Sequence, residues 1–163
     1  YGAGPGPRTS PVIDWNVVFT FGIKGTLQAL DLVTGAVKWK RELAKDYRLL
    51  PTFFGQGGTP IVVGDKLIVP LGTEDQKSVV AFDKTTGKEL WAAKHPWGSS
   101  YSSPVSGTFN GRECVLVFQG GMDESPTGGL LVIDAANGAV LSATPHRAKM
   151  FASVSISAPV VSK

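Results

Sequence analysis

A single cysteine, two histidines and no long apolar run exclude several kinds of protein before any motif is read in this 163-residue chain. The lone Cys114 permits no internal disulfide and no multi-cysteine zinc site. Within ECVLVF it reads as a small apolar residue buried in a strand. No stretch approaches the roughly 18 consecutive apolar residues of a membrane-spanning helix, so no membrane span is expected. Charge of neither sign dominates: 16 basic and 13 acidic residues leave a net +3, dispersed without a basic block. A phosphate-tracking surface needs such a block, and nucleic acid is not an expected partner. The opening YGAGPGPRTS lacks a basic segment followed by an apolar one, and the first residue is Tyr rather than Met. The expectation is a mature or excised piece, whose export signal, if it had one, is missing.

Glycine and proline are abundant instead. The 20 glycines and 11 prolines lie between apolar runs, in a chain 42% hydrophobic and 18% charged, and this reads as a globular protein of short strands and frequent turns. Three segments repeat: ALDLVTGAVKW, AFDKTTGKELW and VIDAANGAVLS. Aligned on Asp31, Asp83 and Asp134, they place Thr34, Thr86 and Asn137 three residues on, and Gly35, Gly87 and Gly138 four residues on. Trp39 and Trp91 follow their glycines by four residues, and Ser142 takes that place in the third copy. A second signal keeps the same phase in SPVID, TPIVV, SPVSG and APVVS, with Pro11, Pro60, Pro104 and Pro159 separated by 49, 44 and 55 residues. The units therefore run 10–58, 59–102 and 103–157, with 158–163 as the first strand of a further unit.

Within each unit the β-branched and aromatic runs predict four strands. They fall at 11–13, 17–21, 27–32 and 36–42; then 61–63, 67–70, 78–83 and 89–93; then 105–107, 114–119, 129–134 and 139–143. Four short strands at a period near fifty predict an all-β fold, a β-propeller built of four-stranded antiparallel blades. Kelch repeats have a similar period, but Gly57-Gly58, Gly120-Gly121 and Gly128-Gly129 hold no constant place in the unit. Helix has room only in RELAKDYRLLP, where Leu43, Tyr47 and Leu50 recur at helical spacing and Pro51 supplies a stop. Three blades cannot close a ring that typically takes four to eight. The remaining blades of a longer chain, or self-association, would complete this partial propeller.

The repeated segment has a stereochemical reading. An Asp carboxylate accepts hydrogen bonds from backbone N–H groups a few residues ahead, Thr or Asn tolerates the turn, and Gly supplies the positive φ that closes it. A Trp at fixed distance beyond would dock one blade on the next. A metal-ligand reading is weaker, because DLVTG, DKTTG and DAANG each hold one acid where a calcium loop needs several oxygen ligands. Neither a catalytic nor a metal-ligating residue is assigned.

The pattern Ala-x-Asp-x-x-Thr-Gly-x-x-x-Trp, complete at residues 29–39 and 81–91, resembles the tryptophan-docking motif of the pyrroloquinoline-quinone (PQQ) type β-propellers. The SPV and TPI starts and GDKLIV are similar to that family's first two strands. The third copy departs from the motif, with Val132 for Ala and Ser142 for Trp. The resemblance implies one of two functions. One group is the quinoprotein dehydrogenases, with PQQ and calcium, a vicinal cysteine pair and an acidic calcium set. The other has no cofactor and binds other proteins, as does the lipoprotein subunit of the outer-membrane β-barrel assembly machine. With one cysteine and no acidic cluster, the chain resembles the second group more. That implies an exported, periplasmic or envelope-associated scaffold, with a protein or envelope component as partner and no cofactor expected. The alternative is a fragment of a PQQ- and calcium-dependent quinoprotein dehydrogenase whose cofactor residues lie in the missing blades.

Antiparallel order puts the longer, variable connections on one face, opposite the Asp-x-x-Thr-Gly turns, and binding usually resides in such connections. Arg48, His95, Trp97, Tyr101, His146 and Arg147 lie there as possible binding residues. One reading gathers them at a mouth for a polar ligand or extended peptide; the other makes them ordinary loop residues sharing a repeat's geometry. Glu74 with Asp75, and Asp123 with Glu124, are paired acids that read as solvated loop charge or as a cation contact. The serines stand in SS and SxS loops without a nucleophile elbow.

Overall fold

The computed structural model describes residues 6–120, 127–148 and 155–162. Asp123 and Glu124 lie outside the described residues.

Turn glycines and β-branched runs divide the described chain into twelve strands and one helical turn. The first sheet takes β1 (Val12–Asp14), β2 (Val17–Phe21), β3 (Thr26–Asp31) and β4 (Val37–Glu42). A single turn, α1 (Leu43–Asp46), leads to the second sheet, β5 (Ile61–Val63), β6 (Lys66–Pro70), β7 (Lys77–Asp83) and β8 (Glu89–Lys94). The third holds β9 (Val105–Phe109), β10 (Arg112–Gly120), β11 (Gly128–Asp134) and β12 (Val140–Pro145). Each sheet is a four-stranded antiparallel meander in sequence order, the blade of a propeller. Each turn's Asp closes the pairing of the second and third strands, opposite Val17 and Lys66 at the start of β2 and β6, and opposite Cys114, the third residue of β10.

Between sheets, the inner strand β5 lies beside β1 and β9. Hydroxyls link the starts of these strands: the Ser10 N–H donates to Thr59 Oγ1 at 3.0 Å, and the Thr59 N–H to Ser103 Oγ at 3.0 Å. The Ser/Thr-Pro signal in the sequence thus marks a stitch between blades, because the hydroxyl satisfies an amide that has no ladder neighbour.

Strand alternation gives each blade two faces, and the core lies between blades. Phe19, Phe21 and Leu27 of the first blade pack against Leu67, Val69, Val80 and Phe82 of the second. Ile68, Val79, Ala81 and Trp91 of the second pack against Val115, Val117, Leu131 and Ile133 of the third. The middle blade is covered on both sides, so its third strand is buried continuously from Val79 to Phe82. Cys114 is buried in β10, and burial pushes its thiol pKa up.

The repeated turns join β3 to β4, β7 to β8 and β11 to β12. Asp31 Oδ1 accepts from the amides of Val33 and Thr34 and from the Thr34 hydroxyl, at 3.1, 2.9 and 3.0 Å. Asp83 repeats this with Thr85 and Thr86 at 3.0, 2.7 and 2.9 Å. In the third copy Asp134 accepts from Ala136 at 2.8 Å, and Asn137 takes over an acceptor role toward the Ala139 amide at 2.9 Å. Just beyond, each blade carries a register shift that leaves Lys38, Leu90 or Leu141 as an extra residue. The shift sets Trp39 opposite Ala29 and Trp91 opposite Ala81, small against large, whereas Val132 faces Ser142. The Trp39 indole N–H donates to the Lys84 carbonyl at 3.0 Å, and that of Trp91 to the Ala135 carbonyl at 3.2 Å. Each acceptor is the residue after the Asp of the next blade's turn.

The stretch RELAKDYRLLP, with room for a turn or two of helix, holds one turn, α1, which ends at Asp46, with Tyr47 extended at φ −132° and ψ 147°. Tyr47 enters the core between the first two blades, its hydroxyl donates to Glu89, and Leu49 then bridges to Thr73. These non-local contacts outweigh a short helix. Residues 158–162, expected as an opening strand, form none. Just before them the Ser157 carbonyl accepts the Ser102 hydroxyl at 2.9 Å, from the segment leading into β9, but among the described residues no strand stands beside them to complete a ladder.

Candidate functional site

The connections from each outer strand to the next inner strand share the face opposite the repeated turns. Here Arg8, Phe53, Phe54 and Tyr101 converge from the segments leading into β1, β5 and β9. The Arg8 guanidinium stands 5.3 Å from the Phe54 ring centroid, and the Phe54 and Tyr101 centroids are 5.9 Å apart. Phe53 lies against Phe54 at 6.5 Å. The cluster is fixed from below. Tyr101 Oη accepts the Phe54 amide at 2.9 Å, and its own amide donates to Ser155 at 3.0 Å. The ring lies so close over Gly57 that a Cβ there would come within 2.5 Å of Tyr101 Cδ1. Phe53 and Phe54 are nonetheless 49% and 47% exposed. A cation over half-exposed rings on a rigid support can bind an extended chain, offering apolar area and charge together. Two adjacent phenylalanines in the Gly- and Pro-rich LLPTFFGQGG were the sequence signal for this cluster.

Arg48 lies elsewhere on this face, at a cleft of about 410 Å³ lined by Asp46, Tyr47, Arg48, Glu74, Asp75 and Lys77. Its charges are largely matched: Arg48 with Glu74 at 3.6 Å, Arg41 with Asp46 at 2.7 Å, and Asp75 accepting from the Thr73 hydroxyl at 2.5 Å. The Thr73 hydroxyl holds the Asp75 carboxyl below its usual range, while burial first and Glu89 second raise the Tyr47 phenol. Among the described residues no three His, Cys, Asp or Glu side chains form a metal-holding group.

The other sequence candidates do not form one mouth. Trp97 is 8% exposed and belongs to the core between the second and third blades, so its ring is not presented to a ligand; its carbonyl accepts the Ser78 hydroxyl at 2.8 Å. His95 meets Trp97 edge-on at 4.4 Å, and its Nδ1 accepts the Trp97 amide at 3.3 Å. Burial lowers the His95 pKa, which favours the neutral ring that this hydrogen bond requires. His146 is exposed and near Phe118 at 6.0 Å, while Arg147 reaches the Thr127 carbonyl at 3.4 Å. Among the described residues no hydrogen bond or ring contact joins the two histidines. The serines satisfy backbone carbonyls, as Ser100 does Phe118 at 2.5 Å.

The sequence profile of the family described as outer membrane protein assembly factor BamB matches residues 2–162. A curated relative, the quinate/shikimate dehydrogenase (quinone) of Acinetobacter baylyi, is 32% identical over 124 residues, which covers 67% of this chain and 15% of that one. The chain spans only 13% to 15% of the lengths of the curated relatives it matches. Among solved structures, BamB from Moraxella catarrhalis superposes with a TM-score of 0.56 at 23% identity, over 87% of this chain and 38% of that one. The quinohemoprotein alcohol dehydrogenase of Comamonas testosteroni gives 0.61 at 21% identity, over 85% and 21%. At these identities the structural likeness speaks for the propeller fold alone.

Proposed function

We propose, from the premise that this chain belongs to the family of the outer membrane protein assembly factor BamB, that it is part of a non-catalytic PQQ-like propeller binding a protein or envelope component through its loop face. The observation that carries this reading is the Arg8, Phe53, Phe54 and Tyr101 cluster, half exposed yet fixed to three successive blades. Such a surface favours an extended segment with apolar side chains and a carboxylate for Arg8. The family's description supports a place of work in the cell envelope. No helix among the described residues is long and apolar enough to cross a membrane.

The test is photo-crosslinking from a benzoyl-phenylalanine placed at Phe54, with one at Thr86 on the opposite face as the control. The expected outcome is a single envelope component labelled from position 54, diminished by Arg8→Ala and absent from position 86. Equal labelling from both positions would refute the reading.

A second reading, a fragment of a quinoprotein dehydrogenase, is favoured by the identity of 30% to 34% with curated enzymes of that kind. On that reading the cofactor residues lie in other blades, because the described residues hold one buried cysteine and no acidic cation set. Stoichiometric binding of PQQ with calcium, followed by quinone absorbance, would establish the second reading over the first.

A further inference from the structure

The turns of the first blade carry apolar side chains at tips where the other two blades have none. Trp15 opens the two-residue turn between β1 and β2, at φ 53°, and it is 90% exposed. The second blade places Gly64 there at φ 60°, and the third Asn110 at φ 50°. Gly and Asn are the residues that such turns favour, and a bulky ring at positive φ is an outlier held against backbone strain. A ring so exposed adds almost no burial to the fold in return, and strain kept on those terms points to a function. Beside it, in the turn from β3 to β4, Val33 is 87% exposed where the other blades hold Thr85 and Ala136. The Leu32 amide donates to the Asn16 carbonyl at 2.8 Å and ties the two turns together.

A further blade packed before the first would not cover these tips. Gly64, Thr85, Asn110 and Ala136 are all exposed although a blade is packed before each of theirs, and a Cβ at Gly64 would meet nothing within 4 Å. Charge then selects the occupant. Trp15, Asn16, Val33 and Thr34 at the tips are uncharged. The acids at their base are matched within the chain, Asp14 with Lys84 at 2.6 Å and Asp31 with Lys38 at 3.3 Å. A protein interface draws specificity from polar and charged groups around its anchor, and here the charges are already taken. An anionic lipid surface needs a basic excess, which the same pairs cancel. What remains is a convex, uncharged tip bearing an indole, the side chain enriched at the boundary between lipid headgroups and acyl chains.

We propose that Trp15 and Val33 insert into the headgroup boundary of a zwitterionic bilayer, so that the turn face rests on a membrane and the loop face is turned away from it. The contact is interfacial and crosses nothing. The inference rests on the turns of the first blade and is independent of the loop-face reading.

Co-sedimentation of the full chain with sucrose-loaded phosphatidylcholine vesicles tests it. The unaltered chain should bind at millimolar lipid, equally in low and high salt, and vesicles with brominated acyl chains should quench its exposed tryptophan. Trp15→Gly should weaken the partition about tenfold. Its thermal midpoint should be unchanged or raised, because Gly relieves the positive φ and is the residue the second blade uses there. Val33→Thr, which supplies the second blade's residue at the other tip, should weaken the partition by a smaller factor. Three results would overturn the proposal. The first is a folded chain that stays in the supernatant at millimolar lipid, which would make Trp15 the anchor for a protein partner instead. The second is binding that Trp15→Gly leaves unchanged. The third is binding that requires anionic phosphatidylglycerol and disappears in high salt.

Discussion

Alanine at the three turn glycines separates backbone strain from the docking of one blade on the next. Gly35, Gly87 and Gly138 share nearly one conformation, so Ala should cost each about 1–2 kcal/mol for entering the left-handed region. Their surroundings differ. A Cβ at Gly35 meets nothing within 4 Å, whereas at Gly87 it meets Trp39 Cε3 and Cδ2 at 2.8 and 2.9 Å, and at Gly138 the same atoms of Trp91 at 2.6 and 2.8 Å. Contacts this short force the indole away from its carbonyl, and overpacking of this kind costs a further ~1–3 kcal/mol. The expected losses are therefore about 1–2 kcal/mol for Gly35→Ala and about 2–5 kcal/mol for Gly87→Ala and Gly138→Ala. Gly138→Ala should be the worst, because Trp91 is buried and Trp39 only partly so. Urea unfolding followed by tryptophan fluorescence measures this as a shift of midpoint at constant slope. Three losses equal within about 0.5 kcal/mol would refute the reasoning, since strain alone would then account for them.

Further predictions concern the turns, the inner strands and the loop face. The amide and hydroxyl of Thr34 pull the Asp31 pKa down to about 2, and those of Thr86 lower Asp83. A folded value below the unfolded one of about 4 means the carboxylate supports the fold at neutral pH, and that support is lost as pH falls from about 4 through about 2. Acid unfolding of Asp31→Asn with Asp83→Asn should be flatter in that window, and an unchanged acid limb would contradict the assignment. Ser103→Ala removes the acceptor of the Thr59 amide and should cost about 1 kcal/mol by urea unfolding; no loss would mean that water replaces the hydroxyl. The His95 ring, desolvated beside Trp97, should titrate by NMR at lower pH than an exposed histidine, and a normal midpoint would place it in solvent.

The architecture was legible because the signals that define it are local. Each Asp-x-x-Thr/Asn-Gly turn closes through bonds among its own residues, and the alternating apolar runs matched the strands to within a few positions. The substitutions in the third copy were visible too, and Val132 opposite Ser142 gives them a steric sense: with no large ring across the strand, no small residue is needed. What the sequence hid depends on non-local contacts. Tyr47 sits at helical spacing from Leu43 but is drawn across to Glu89, 42 residues on. Trp97 reads as a loop aromatic until the third blade covers it. Arg8 and Tyr101 are 93 positions apart, and only the stacking of three blades brings both against Phe54.

The central claim is that the repeated segments hold blade to blade, with each Trp bonded to the next turn. Exchange of the indole protons with solvent, resolved by nitrogen-edited NMR, tests this most directly. Trp39 and Trp91 donate to buried or half-buried carbonyl contacts, while Trp15 is 90% exposed. The account predicts slow exchange at Trp39 and Trp91 and fast exchange at Trp15. Equally fast exchange at all three would contradict it.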